Sequence, residues 1–187
     1  QEFFTDHRSA TADNFSKYED WFELYNAGIG SVNIGGYYLS DRLNQPTKWM
    51  IPAGTTLNTN GRMIFYASGR NITTGTMHTN FRISQTKIPS EYIVLSDNSG
   101  NVLDYITISR TKQNHSNGRI PDGANVWKVC SIPTPNTSNL ASNTFVRYSA
   151  TPTFNLLPGF YTGNQQIQLT TTEPNSTIRF TLDGTEP

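Results

Sequence analysis

The chain has one cysteine, Cys130, which excludes an internal disulfide framework and any multi-cysteine zinc site. Flanked by Val129 and Ile132, that thiol reads as a small buried filler rather than a reactive group. Charge of one sign is also missing. Fourteen basic and fourteen acidic residues cancel over 187 positions, so no global field draws in nucleic acid or an anionic membrane. No apolar run approaches the roughly 18 residues that cross a bilayer, and no signal peptide is present. An opening at Gln1 without Met reads as a processed or trimmed chain. Lys, Glu and Ala are few, and helix formers are scarce in every window.

Catalytic signatures are equally absent. The sequence contains no Gly-rich phosphate loop, no His-Glu-x-x-His and no Gly-x-Ser-x-Gly elbow. Its histidines lie far apart. His7 and His115 fall in polar segments that read as exposed, and His78 precedes Thr79-Asn80-Phe81, which suits a hydrogen-bonding residue at a loop or strand entry better than a metal ligand or base. Nothing nominates a partnered nucleophile among the many serines and threonines.

What the chain does have is ten Phe, nine Tyr and three Trp, with abundant Thr, Ser, Asn and Gly. β-Branched and aromatic residues suit pleated, half-buried surfaces, while Asn and Gly suit turns. Short apolar runs alternate with turn clusters from Trp21 onward: residues 21–25, 32–34, 37–39, 48–51, 63–67, 92–95, 102–106 and 126–129. Such spacing predicts a sandwich or barrel. The clearest hairpin pairs Tyr92–Ser96 with Val102–Ile106 across Asp97-Asn98-Ser99-Gly100. Only Ser9–Tyr18 lacks a strand pattern.

The pattern stops at Pro133-Thr134-Pro135-Asn136, an edge or domain end. A new one starts near Pro152, with alternating stretches at Gln166–Thr170 and Thr177–Leu182 around a Glu173-Pro174-Asn175 turn. These readings divide the chain into a domain over 1–147 and a linker with a partial β unit over 148–187. Two or three strands bury too little to fold alone. That unit is therefore expected to be truncated or to lean on something else, by packing or strand exchange.

The first unit resembles the bacterial lamin tail domain family. The resemblance runs through Glu19-Asp20-Trp21-Phe22-Glu23-Leu24-Tyr25-Asn26, Gly36-Tyr37-Tyr38-Leu39-Ser40-Asp41, Trp49 with Ile51-Pro52-Ala53-Gly54-Thr55, and His78-Thr79-Asn80-Phe81. Val94-Leu95-Ser96-Asp97, Gly118-Arg119-Ile120-Pro121-Asp122-Gly123 with Trp127, and Pro133-Thr134-Pro135-Asn136 continue it. It implies an immunoglobulin-like β-sandwich with an opening strand in Glu2-Phe3-Phe4. The tail, through Pro158-Gly159-Phe160-Tyr161, Ile167–Thr171 and Thr177–Pro187, resembles the first half of the small domain that ends chitobiase and β-hexosaminidase-like proteins. Neither family is an enzyme in itself. The pair looks like an accessory arm that precedes a larger partner, including kinase-like domains similar to spore coat protein H.

Asp13, Glu19, Asp20 and Glu23 form an acidic group around Trp21, with Asn14 and Asp41 as further oxygens. Together with backbone carbonyls they could hold Ca²⁺, which takes six to eight oxygens. The simpler reading pairs Glu23 with a basic neighbour and uses Asp20 in a turn. Among the aromatics, adjacent Tyr37 and Tyr38 must point to opposite faces of a shared strand, so one could offer a sugar-stacking surface. Trp49 and Trp127 read as core. The sequence thus predicts a non-catalytic, cofactor-free module of an exported bacterial protein, outside the cytoplasm or on the cell surface. Its partner would be a protein or a cell-surface glycan. The alternatives are a carbohydrate-binding appendage of a hydrolase and the arm of an enzyme whose catalytic part follows. The sequons at Asn14, Asn71, Asn114, Asn136 and Asn175 follow from an Asn- and Thr-rich composition.

Overall fold

Alternation in Trp21-Phe22-Glu23-Leu24-Tyr25 sends Phe22 and Leu24 to one side of a strand and Trp21 and Glu23 to the other. The computed structural model builds the domain on that strand. It describes residues 2–4, as backbone, and 12–185; His7 lies outside the described residues. The strands are β1 (Glu2–Phe4), β2 (Trp21–Tyr25), β3 (Val32–Asn33), β4 (Tyr38–Ser40), β5 (Trp49–Met50), β6 (Thr56–Leu57), β7 (Arg62–Tyr66) and β8 (Met77–His78). They continue with β9 (Tyr92–Ser96), β10 (Val102–Thr107), β11 (Ser116–Arg119), β12 (Trp127–Cys130), β13 (Thr144–Phe145), β14 (Thr153–Phe154) and β15 (Leu169–Thr170). The chain is all-β, and it divides into two units, residues 1–146 and 147–187.

In the first unit a seven-stranded sheet runs in the order β13-β12-β11-β1-β2-β7-β8, and a four-stranded one in the order β10-β9-β4-β5. One core joins them: Phe22, Leu24 and Phe65 from the first sheet pack with Leu39, Trp49 and Ile93 from the second. That is an immunoglobulin-like sandwich. Phe22 stacks on Phe65 at 5.7 Å between ring centres, and Trp49 meets Phe65 edge-on at 6.0 Å. The Trp49 indole N–H is not lost to burial, because it donates to Asn71 Oδ1 at 2.9 Å. Trp127 packs against the same core but stays half-buried.

The β9–β10 hairpin forms with Val102 opposite Ser96, and a bulge separates Val102 from Asp104. Asp97 closes its turn by accepting the N–H groups of Ser99 and Asn101 at 2.9 and 2.8 Å. Strand β11 breaks the apolar pattern altogether, since Ser116-Asn117-Gly118-Arg119 reads as turn chemistry. It is nonetheless central, between β1 and β12. Small residues fit because the sheet is crowded there. A Cβ on Gly118 would sit 2.7 Å from Asn139 Nδ2 and 3.1 Å from Cys130 Sγ. Cys130 itself is buried, as its apolar flanks suggested.

The second unit has far less pairing. Thr153–Phe154 meets Leu169–Thr170, while the alternating stretch 177–182 forms no strand. A period of two gives a strand two usable faces but no ladder partner, and among the described residues none lies beside this one. Glu173 does order the unit locally: its carboxylate pairs with Arg147 and accepts the Ala150 N–H at 2.9 Å. These bonds hold its pKa below the ordinary carboxylate value, the Arg147 hydrogen bond foremost.

Phe65→Ala should lower the stability of the first unit by about 3–5 kcal/mol, through lost transfer energy plus a cavity. Phe154→Ala, at a 63% exposed site, should stay within about 0.5 kcal/mol. Chemical denaturation of both variants against the parent checks the contrast.

Candidate functional site

The back of the seven-stranded sheet gathers the side chains that alternation excludes from the sandwich. Trp21 and Tyr66 are buried there with Ile64 against them, and His78, opposite Tyr66 in the β7–β8 ladder, is fully buried. Tyr66 stacks on the imidazole at 5.2 Å, and Phe15 meets its edge at 5.6 Å. His78 Nε2 lies 2.8 Å from Asn14 Oδ1 and Nδ1 lies 2.9 Å from Ser68 Oγ. Because an amide oxygen only accepts, Nε2 carries the proton, and in the neutral ring Nδ1 accepts the Ser68 hydroxyl. Burial pushes the His78 pKa below the ordinary imidazole value. Asp13 and Glu19 oppose that shift, Arg70 adds to it, and burial prevails.

Residues 12–20 cover this face and are pinned by Arg70. Its guanidinium pairs with Asp13 and, at 3.0 Å, with Glu19, and it lies over the Phe15 ring at 4.8 Å. Asp13 also accepts the N–H groups of Phe15 and Lys17 at 2.9 and 2.8 Å. Burial alone would raise the Asp13 pKa, but these backbone bonds and Arg70 together hold it below the ordinary carboxylate value. The sequence shows no strand pattern over Ser9–Tyr18 and could not place the segment, because its contacts lie on β7, β8 and the Ser68–Arg70 turn, far away along the chain.

Glu23 belongs to a second centre. It is buried and lies 3.7 Å from Arg62 Nε. The Asn136 N–H donates to it at 2.7 Å across 113 residues. Arg62 also pairs with Asp122 and donates to Ser138 Oγ at 3.0 Å. Asp122 in turn accepts the Asn139 N–H at 3.1 Å. The Pro121-Asp122-Gly123 turn and the proline-rich stretch are thereby tied onto the back of β2 and β7.

The acidic group expected around Trp21 is therefore divided. Asp13 and Glu19 share Arg70, Glu23 takes Arg62, and Asp20 uses its backbone carbonyl to accept the Ala67 N–H at 2.7 Å. Asp41 pairs with Lys48 at 2.6 Å beside the other sheet. Among the described residues, no three His, Cys, Asp or Glu side chains come together as a metal would need. Tyr37 packs half-buried against the core, and Tyr38 lies half-buried on the opposite face of β4. His115 is also half-buried, edge-on to Phe145 at 6.0 Å, so its polar flanks misled the reading of exposure.

Ser68, His78 and Asn14 stand in the order nucleophile, base and orienter, yet Ser68 is 1% and His78 0% exposed. No substrate reaches that hydroxyl while the 12–20 segment is seated. The arrangement is a clasp. An open cleft of about 490 Å³ between residues 41–44 and 87–92 has two acids in its lining, Asp41 and Glu91. Lys48 and Lys87 neutralise them.

The sequence model of the Lamin Tail Domain family matches residues 2–110. The chain belongs to that family. The Chitobiase/beta-hexosaminidase C-terminal domain matches residues 156–187, and both are non-catalytic β modules. The lamin tail match ends before β11, β12 and β13, although β11 pairs with β1 in the same sheet. No curated protein and no solved structure matches the chain significantly.

Two outcomes follow for the clasp. A buried imidazole whose pKa is lowered carries no penalty above the ordinary value, and its penalty grows as pH falls below about 6.5, because only the unfolded state then binds the proton. His78→Gln should flatten that part of the stability-against-pH curve. His115, lowered by burial and Lys112, contributes a slope of the same sign. Arg70→Met should cost about 2–3 kcal/mol, below the ~3–5 of a fully buried pair, since Arg70 is 28% exposed while Asp13 is covered.

Proposed function

We propose that this lamin tail protein is a non-catalytic binding and architectural module of an exported bacterial multidomain protein, working outside the cytoplasm or at the cell surface. The observation that carries the reading is the use made of its reactive groups. Each acid of the two centres meets an arginine or a backbone N–H, and the Ser68–His78 pair is sealed. Side chains so engaged hold loops in place; they are not poised on a substrate. The second unit supports a role in contacts, because Leu157, Ile167, Phe180 and Leu182 stay more than half exposed. Apolar surface of that kind marks interaction sites.

The module works without a cofactor, and its contacts are with protein rather than glycan. Calcium held by Asp13, Glu19, Asp20 and Glu23 is the competing reading for the acids. It predicts a rise in melting temperature on adding Ca²⁺ and a fall with chelator, whereas the ion pairs predict neither. For the partner, labelled full chain added to bacterial cells should lose binding after protease treatment of the surface and keep it after periodate oxidation of glycans. The reverse pattern would favour a carbohydrate-binding appendage. Turnover of model esters or glycosides that disappears in His78→Gln would overturn the non-catalytic reading.

A further inference from the structure

The two larger sheets of the first unit end in β13, β8, β10 and β5. Three of these edges are two residues long, and short edges are how β proteins avoid unwanted pairing. Strand β10 is the exception, with six residues, Val102-Leu103-Asp104-Tyr105-Ile106-Thr107. It contains neither Pro nor Lys. Val102 is 42%, Leu103 53% and Tyr105 54% exposed. Beyond β10 no further strand is paired among the described residues.

The ladder shows which backbone groups are free. Ile108 donates its N–H to Glu91 at 2.9 Å, and the register places Ile106 opposite Ile93 and Asp104 opposite Leu95. Hydrogen-bonded pairs alternate along an antiparallel ladder. Ile106 and Asp104 therefore spend their N–H and C=O groups on β9, while those of Tyr105 and Thr107 point away from the sheet. Side chains alternate as well. Ile106 packs on the core, and Asp104 turns inward to accept both Arg119 Nη2 contacts at 2.9 Å. Tyr105 stands on the outer face, edge-on to Tyr92 at 6.3 Å.

We infer that the free edge of β10 is a self-pairing surface, on which two copies of this chain join antiparallel about a two-fold axis at Tyr105 and continue the four-stranded sheet from one copy into the other. The edge is self-complementary under that axis. Tyr105 faces Tyr105 of the second copy as a hydrogen-bonded pair, where the outward backbone groups of both strands meet, and Thr107 lies opposite Leu103, the residue at the bulge, where the new pairing ends. Asp104 lies opposite Ile106, so no like charges face each other, and its carboxylate stays with Arg119. The rings of Tyr92 and Tyr105 extend into one row across the junction, and cross-strand aromatic pairs add about 0.2–1 kcal/mol each. Zero net charge leaves no long-range repulsion between copies. A strand edge alone buries less than the roughly 1,200 Å² of a stable interface, so association is weak, in the micromolar to millimolar range.

Sedimentation velocity of the full chain, under reducing conditions and up to about 0.5 mM, tests this at concentrations where weak interfaces fill. Wild type should pass from monomer to dimer. Tyr105→Lys sets two ammonium groups opposite each other and should weaken the dimer about tenfold or more, since directly opposed like charges destabilise. Thr107→Pro removes an N–H that β9 does not use, and should act likewise with an unchanged melting temperature. Met50→Lys, of equal charge on the opposite edge, should leave the dimer intact. A wild type that stays monomeric throughout overturns the inference, as does a dimer that ignores both β10 variants. A chain that binds an unrelated extended peptide at β10 but never itself also overturns it. Self-pairing involves no external ligand, so it holds or fails apart from the cell-surface binding proposed above.

Discussion

Five residues of β2 lie opposite five of β7, and the pleat of that pair sends alternate side chains into two separate interiors. Phe22, Leu24 and Phe65 enter the sandwich. Trp21, Glu23, Ile64 and Tyr66 go to the back, a face that an antiparallel sheet commonly leaves to water. Here it is covered, by residues 12–20 at one end and by the 119–139 loops at the other. The register cannot slip. A shift of one residue would carry Glu23 among phenylalanines and put Phe22 beside Arg62.

Two arginines make that cover possible. Arg70 joins Asp13 across 57 residues, and Arg62 joins Asp122 across 60. A guanidinium suits the task because its planar fork donates in several directions while staying charged and stacking on rings, as Arg70 does on Phe15 and Arg62 on Tyr25 at 4.6 Å. Pairs of this kind add little net stability, since desolvation offsets attraction, but they penalise any arrangement that strands one charge. Their effect is to specify where irregular segments lie. The same cover buries His78 and divides the acids, Asp13 and Glu19 going to Arg70 and Glu23 to Arg62.

The units handle sheet edges differently. The first keeps most of its edges short and concentrates its free backbone groups on β10. Among the described residues the second forms one two-strand pairing and leaves large apolar side chains exposed. Thr177–Leu182 alternates as cleanly as any strand of the first unit, yet a periodic pattern specifies only which side chains share a face. The partner that would turn it into a strand is a tertiary matter.

From the amino-acid order alone came the all-β class, the β9–β10 hairpin, the family, and the burial of Trp49 and Cys130. All of these rest on local chemistry: period-two alternation, turn residues at Asp97–Gly100 and small or aromatic cores. Tertiary structure alone decided that β11 is a central strand despite its turn-like residues, that the acids around Trp21 part company, and that His78 is sealed beneath Asn14. Each of those depends on which distant segment arrives against a given face. An ion pair or a buried hydrogen bond leaves no periodic trace in the sequence, because its partners need share only a point in space.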